Sequence, residues 1–207
     1  MKFGSSQQKI LEDILTWRRD VRHFRTDPIE RETLEAIEAS VDLAPSVGNS
    51  RPWRFVRVTS GTKRNAVISS FEKSNEDAAS AYITEEATAY RALKLAGLKE
   101  APVHIAAFTV QNPVEGRGLG RQTMPEMLAY STVGAINTLW LAARSHNVGV
   151  GWVSILDPDT VSAVLDVPKE WLLTGYLCLG YPVEDHDTPE LQRTGWQDNT
   201  ETVWLDR

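Results

Sequence analysis

The chain has 207 residues, with 22 Lys and Arg against 28 Asp and Glu, a formal net charge of −6 and 42% hydrophobic residues. That length suits one domain with a buried core, and the acidic balance excludes a sequence-independent nucleic-acid binder, which needs a basic face. Any cationic site must therefore be local.

Ser5 or Ser6 is placed to cap a first helix, in which Ile10, Leu11, Ile14, Leu15 and Trp17 form one stripe. The run R-R-D-V-R-H-F-R follows, from Arg18 to Arg25. It groups four arginines around one carboxylate, Asp20. A solvated helix end is the plain reading of such a run. Val21 and Phe24 interrupt it at half-buried spacing, and arginine stands throughout where lysine would serve solubility. Because the guanidinium fork donates in pairs to phosphates and planar acceptors, the balance leans towards an anion site.

Pro28 opens a second helix with Leu34, Ile37 and Val41 on one face, ending before Pro45. A-P-S-V-G-N-S-R-P-W is a turn by composition, and R-F-V-R-V-T alternates as a strand until Gly61. From Thr62 to about Lys99 the chain reads as polar helix, more cover than core. V-H-I-A-A-F-T-V is a second strand. The glycines of Q-N-P-V-E-G-R-G-L-G-R-Q lack dinucleotide-fingerprint spacing and read as a mobile loop.

A helix from about Met124 to Ser145 is apolar on nearly every side, which places it inside a dimer in a chain of this size. V-G-V-G-W-V-S-I-L and W-L-L-T-G-Y-L-C-L-G are two further strands, separated by a short helix from Pro158 to Leu165. The polar tail from Tyr181, with Trp196 and Trp204 as anchors, is expected to embrace a partner subunit. Cys178 is expected to be a buried thiol, and the four histidines show no metal-ligand spacing, so no metal is expected. The N-terminus lacks a signal-peptide core, and the longest apolar stretch is short for a membrane. A soluble cytoplasmic protein is expected. Helices segregated from a few strands give an α+β class.

R-R-D-V-R, A-P-S-V-G-N-S-R-P-W, G-V-G-W-V-S, and L-G-Y-P with Arg193 beyond it resemble the nitroreductase-like flavoprotein superfamily along almost the whole chain. The resemblance implies one domain over residues 1–207, with a central mixed sheet flanked by helices, in an intertwined homodimer. It further implies a lid at about 75–102, a C-terminal arm at about 183–207, and FMN in the dimer interface.

Asp20, Arg51, Y-R-A-L-K-L-A-G-L-K-E-A-P, G-L-G-R-Q-T-M-P-E-M and G-W-V-S-I-L-D-P resemble, within that superfamily, the branch that fragments flavin to make the lower ligand of vitamin B12. Ordinary nitroreductases commonly carry serine or threonine where Asp20 stands, and glutamine where Arg51 stands. By this resemblance Arg18, Arg19 and Arg22 serve the phosphate, ribityl hydroxyls and ring edge of FMN, and Arg193 the phosphate end. Ser46 and Asn49 fix the flavin, with Pro45 and Arg51 beside it. Gly151 lets backbone approach the ring, Ser154 faces its reactive centre, and Leu95 covers it from the lid. A covered flavin leaves no room for a stacked nicotinamide, so reduced FMN becomes the substrate and O2 the co-substrate. Asp20 is the candidate base, kept ionised by neighbouring arginines.

The implied products are 5,6-dimethylbenzimidazole and a four-carbon sugar phosphate. The alternatives are an NAD(P)H-dependent nitroreductase or flavin reductase, and a non-catalytic FMN-binding module. A separate flavin reductase, direct transfer, or reduction on the protein are the open sources of reduced FMN. No nucleic-acid or membrane partner is expected.

Overall fold

In a computed structural model that describes residues 1–207, the side chain of Thr84 apart, the apolar run at 103–110 forms the heart of a sheet. The strands are β1 (Trp53–Arg57), β2 (Val103–Val110), β3 (Gly149–Val153) and β4 (Trp171–Gly180), in the order β1-β2-β4-β3. Every pairing between these strands is antiparallel. The parallel character of the expected mixed sheet is therefore reduced to one isolated bridge, Asp20 to Val150.

β2 reads as continuous hydrophobe because both faces of the sheet are covered. On one face Ile105 and Ala107 pack with Ile37 of α2 (Arg31–Ala39) and with Ile136 and Leu139 of α5 (Met127–Ser145). On the other, Ala106 and Phe108 pack with Val67 of α3 (Gly61–Ala79) and Val161 of α6 (Pro158–Leu165). Cys178 lies buried in the second layer, and burial pushes its thiol pKa up, as expected for an inert core cysteine.

Several boundaries move for local reasons. The cap of α1 (Ser5–Trp17) is Gly4, whose N–H donates to Gln7 Oε1 at 3.1 Å, and not a serine. α2 begins at Arg31, after Pro28, and α5 at Met127. β1 ends at Arg57, before Gly61, which instead opens α3, and a second polar helix, α4 (Thr84–Ala92), completes the cover.

The central helix is not buried all round within one chain. Leu128, Thr132, Ala135, Ile136 and Leu139 are buried, whereas Tyr130 stands 56% exposed, and Val133 and Asn137 continue its stripe at helical spacing. The apolar stripe of α1 is likewise uncovered, with Ile10 59% exposed and no residue of the helix buried. The tail folds into α7 (Glu190–Arg193), then Trp196 packs edge-on against Tyr82 and Tyr90 of its own chain. Only beyond that anchor does it leave the body, with Trp204 89% exposed. Among the described residues no helix is long and apolar enough to cross a membrane, and no His, Cys, Asp and Glu cluster is placed to hold a metal.

Candidate functional site

The arginine run lies as an extended segment along β3. Val21 N–H donates to the Val150 carbonyl at 3.0 Å, beside the Asp20–Val150 bridge. Glycines make this approach possible. A Cβ on Gly151 would collide with the Val21 carbonyl, and one on Gly149 would lie 2.7 Å from the Val21 side chain. The two apolar residues that interrupt the charges are thus anchors: Val21 rests on β3, and Phe24 is buried against Gly97 and Gly180. The space that a Cβ on Gly151 would take is filled by the chain's own backbone at Val21.

The charges then separate. Asp20 Oδ1 accepts from the Trp152 backbone N–H at 2.9 Å, and Oδ2 from Arg22 Nε at 3.0 Å. The Asp20 side chain is 35% exposed and that of Arg22 13%. Burial raises the Asp20 pKa above the ordinary carboxylate value, against the pull of the Trp152 N–H and of Arg22. Arg22 is the one arginine hydrogen-bonded to Asp20, so the expected arginine cage shrinks to a single pair. Its other arm, Nη1, donates to the Lys94 carbonyl at 3.2 Å and ties the segment to the stretch just after α4. Half-buried Leu95 is the next residue.

Arg19 donates from Nε and Nη2 to the Asp187 carbonyl, fastening the C-terminal arm. Arg18 lies with its guanidinium carbon 4.9 Å from the ring centroid of Trp140. Arg25 pairs with Asp27 at the surface at 2.7 Å.

Between this segment and the arm is a cavity of about 370 Å³, walled by Arg19, Asp20, Arg22, Glu184, Glu190 and Arg193 among others. Its acids are largely matched: Glu190 with His23 at 3.1 Å, Asp185 with Arg144, and Glu184 with His186 at 3.4 Å. Neither Arg18 nor Arg193 gives its guanidinium to a hydrogen bond or ion pair with another described residue. Gln192 Oε1, next to Arg193, is buried without a donor. Arg193 lines this cavity, whereas Arg18, between the lining residues Trp17 and Arg19 in sequence, does not. An unclaimed guanidinium in a cavity wall suits an anionic ligand with many acceptors, and the phosphate and carbonyls of a flavin nucleotide fit that donor set.

The second group of expected residues lies apart. Ser46 Oγ accepts from the Arg51 backbone N–H at 3.0 Å, and Val47 N–H donates to Ser131 Oγ of α5 at 3.0 Å. Gly48, Asn49 and Arg51 all have positive φ, a tight left-handed turn that only Gly adopts freely. Arg51 gives its guanidinium to the Asp42 carboxylate at 3.1 Å and the Asp42 carbonyl at 3.0 Å. Pro45 and Asn49 are exposed. Among the described residues no hydrogen bond or ion pair joins this loop to Arg18–Arg22. Ser154 is exposed just past the end of β3, with no partner among the described residues.

Sequence reasoning passed over Trp140 and Trp152. Both looked like core, and the only hint was that a buried tryptophan must place its N–H. It also passed over His104, buried on β2 with Nδ1 3.0 Å from the Tyr176 hydroxyl and its pKa lowered to about 4 by burial and nearby Arg64.

Comparison with known proteins bears on the chain as a whole. Residues 15–181 match the nitroreductase family. A 5,6-dimethylbenzimidazole synthase of Rhodospirillum rubrum is 54% identical over 94% of this chain and 92% of its own. Another of that name, from Rhodobacter capsulatus, is 48% identical over 99% of both chains. Among solved structures, oxidised iodotyrosine deiodinase bound to FMN and 3-iodo-L-tyrosine superposes with a TM-score of 0.73 at 21% identity, over 95% of this chain and 97% of that one. The last likeness concerns the fold alone.

Proposed function

This chain belongs to the nitroreductase family and groups within it with the 5,6-dimethylbenzimidazole synthases, and on that premise we propose that it uses oxygen to fragment reduced FMN into 5,6-dimethylbenzimidazole and a four-carbon sugar phosphate. The observation that carries this reading is Asp20. An anion site gains nothing from a carboxylate in its wall, yet this one is fixed at both oxygens, by the Trp152 N–H and by Arg22. Its raised pKa brings it closer to the range in which a carboxyl exchanges protons near neutrality.

Each residue has work to do around that carboxylate. Arg18 and Arg193 supply in-plane donors for the phosphate. Arg22 holds Asp20 Oδ2 and the lid root together, so that a seated lid and an oriented base go with each other. Leu95 shields the site from water, and Ser154 offers a hydroxyl at the open end of β3. Bound reduced flavin supplies the electrons and the ring that is cut.

Pro45, Ser46, Asn49 and Arg51 reach this site from a second copy of the chain. The uncovered stripes of α1 and α5, and the outlying arm, are the surfaces that such a copy would bury. Sedimentation at submicromolar concentration should show a dimer, and a well-folded monomer binding FMN at full affinity would remove the shared site. The activity itself is tested by adding excess reduced FMN and air and analysing the small molecules by mass spectrometry. Dimethylbenzimidazole in proportion to flavin lost is the expected result. Intact flavin with steady NAD(P)H oxidation would make the protein a flavin reductase, and intact flavin without turnover a binding module.

A further inference from the structure

Trp140 sits near the middle of α5, 8% exposed, and its two ends contact two consecutive residues of the arginine segment. Its indole N–H donates to the Arg19 carbonyl at 3.3 Å, while its ring lies under the Arg18 guanidinium at 4.9 Å. The same ring packs against that of Trp152, centroids 6.3 Å apart, and the Trp152 backbone N–H holds Asp20. One side chain thus touches both flanks of the segment just before its carboxylate.

The way it holds Arg18 matters chemically. A carboxylate partner would occupy the in-plane N–H donors of the guanidinium. An aromatic face attracts the cation through its flat side and leaves those donors unbonded. The Arg18 guanidinium makes no hydrogen bond or ion pair with another described residue, so the ring orients it without consuming the groups that a phosphate needs.

We propose that Trp140 is a positioning residue that presents Arg18 to the phosphate of the nucleotide and so sets the preference for FMN over riboflavin. This rests on the reading of the cavity as a flavin-nucleotide site. It concerns selectivity for the phosphate, which neither the family match nor the relatives assign to this tryptophan.

The test titrates FMN and riboflavin by flavin fluorescence against the parent, Trp140→Phe, Trp140→Met and Arg18→Ala, with the thermal midpoint of each. Trp140→Met removes the aromatic face and should weaken FMN about tenfold, the size of a well-desolvated cation–π contact, with riboflavin changed less than about twofold. Trp140→Phe keeps a face and should retain most of the preference, which is the rescue that a purely structural role would not show. Equal weakening of both ligands in Trp140→Met, or loss of preference in Trp140→Phe as complete as in Trp140→Met, overturns the proposal. Should Trp140→Met not fold, Arg18→Ala decides, since a preference unchanged in that variant leaves Trp140 nothing to position. A parent that binds neither ligand would instead sink the flavin site itself, and this proposal with it.

Discussion

Two arginine-bearing stretches of this molecule, Arg18–Phe24 and Pro45–Arg51, are held in opposite ways. The first is fixed by the sheet: a bridge to Val150, a backbone bond from Val21, and glycines at 97, 149, 151 and 180 that admit Val21 and Phe24. The second is held as a loop, through Ser46 to Arg51, Arg51 to Asp42 and a left-handed turn, with Val47 tied to Ser131 on α5 and Gly48 packed close to the carbonyls of Gly116 and Leu119. Asp20, the base of the proposed reaction, sits on the stretch fixed by the sheet. Geometry held by a rigid element is more precise than geometry held by a loop, so on the proposed function the first region carries both the base and the main hold on the nucleotide, and the second adds supporting contacts.

The largest expected effect breaks that contrast at its centre. Asp20→Asn keeps shape and the acceptor for Trp152 N–H but removes the charge. It should bind reduced FMN at least as tightly as the parent, because a carboxylate beside a phosphate opposes binding. It should return oxidised FMN without dimethylbenzimidazole, and Ser154→Ala should be impaired in the same direction. Product at the parental rate from Asp20→Asn would reduce Asp20 to an organiser of Arg22 and β3.

Next in size is the pH limit of the rigid region. His104 is neutral in the fold with its pKa lowered to about 4, while the unfolded chain titrates near the ordinary 6.5. Its contribution to stability is therefore complete above about pH 6.5 and is lost as pH falls towards 4. The linkage amounts to about 3 kcal/mol at most. Urea midpoints measured from pH 7 to 4 should fall more steeply for the parent than for His104→Gln. Equal slopes would mean that the imidazole is not shielded as its burial implies.

Gly151→Ala tests the anchoring itself. The added methyl must push the Val21 carbonyl away, and overpacking of this kind costs about 1–3 kcal/mol. Thermal unfolding should show that loss, and product formation should fall with it, since Asp20 is carried on the displaced segment. An unchanged midpoint would show that the segment is free to slide on β3.

What the sequence revealed followed from how each element is encoded. β2, β4 and α6 appear at their expected residues because an apolar run, or Asp157 before Pro158, marks them locally. Strand direction was not legible, since it depends on the path of the chain between strands, and an antiparallel sheet resulted where a mixed one was expected. The site shows the same division. The charge run suggested the anion site of the proposed function, yet composition placed all its arginines on Asp20. In an extended segment residues i and i+2 share a side, so Arg22 reaches the carboxylate while Arg19 turns to the arm. Trp140 was invisible because its neighbours in sequence make it look like core, and only the fold brings Arg18 over its face.

The smallest expected effect compares one arginine from each region. Arg22 is largely buried and charge-paired, so Arg22→Ala should weaken FMN by roughly 1.5–3 kcal/mol, about ten- to hundredfold. Arg51 is different in kind. Its pair with Asp42 is exposed on both sides, 49% and 72%, and such pairs contribute about 0–1 kcal/mol to folding. Arg51→Ala should therefore leave the thermal midpoint nearly unchanged and lower FMN affinity only a few-fold. The loss should be smaller than for Arg22→Ala because a loop side chain must first leave Asp42 and be ordered against the ligand, which offsets part of the bond it makes. Fluorescence titration of the two variants side by side gives the answer. A loss in Arg51→Ala as large as in Arg22→Ala would reverse the ranking of the regions, and the loop would then hold the flavin as firmly as the sheet edge does.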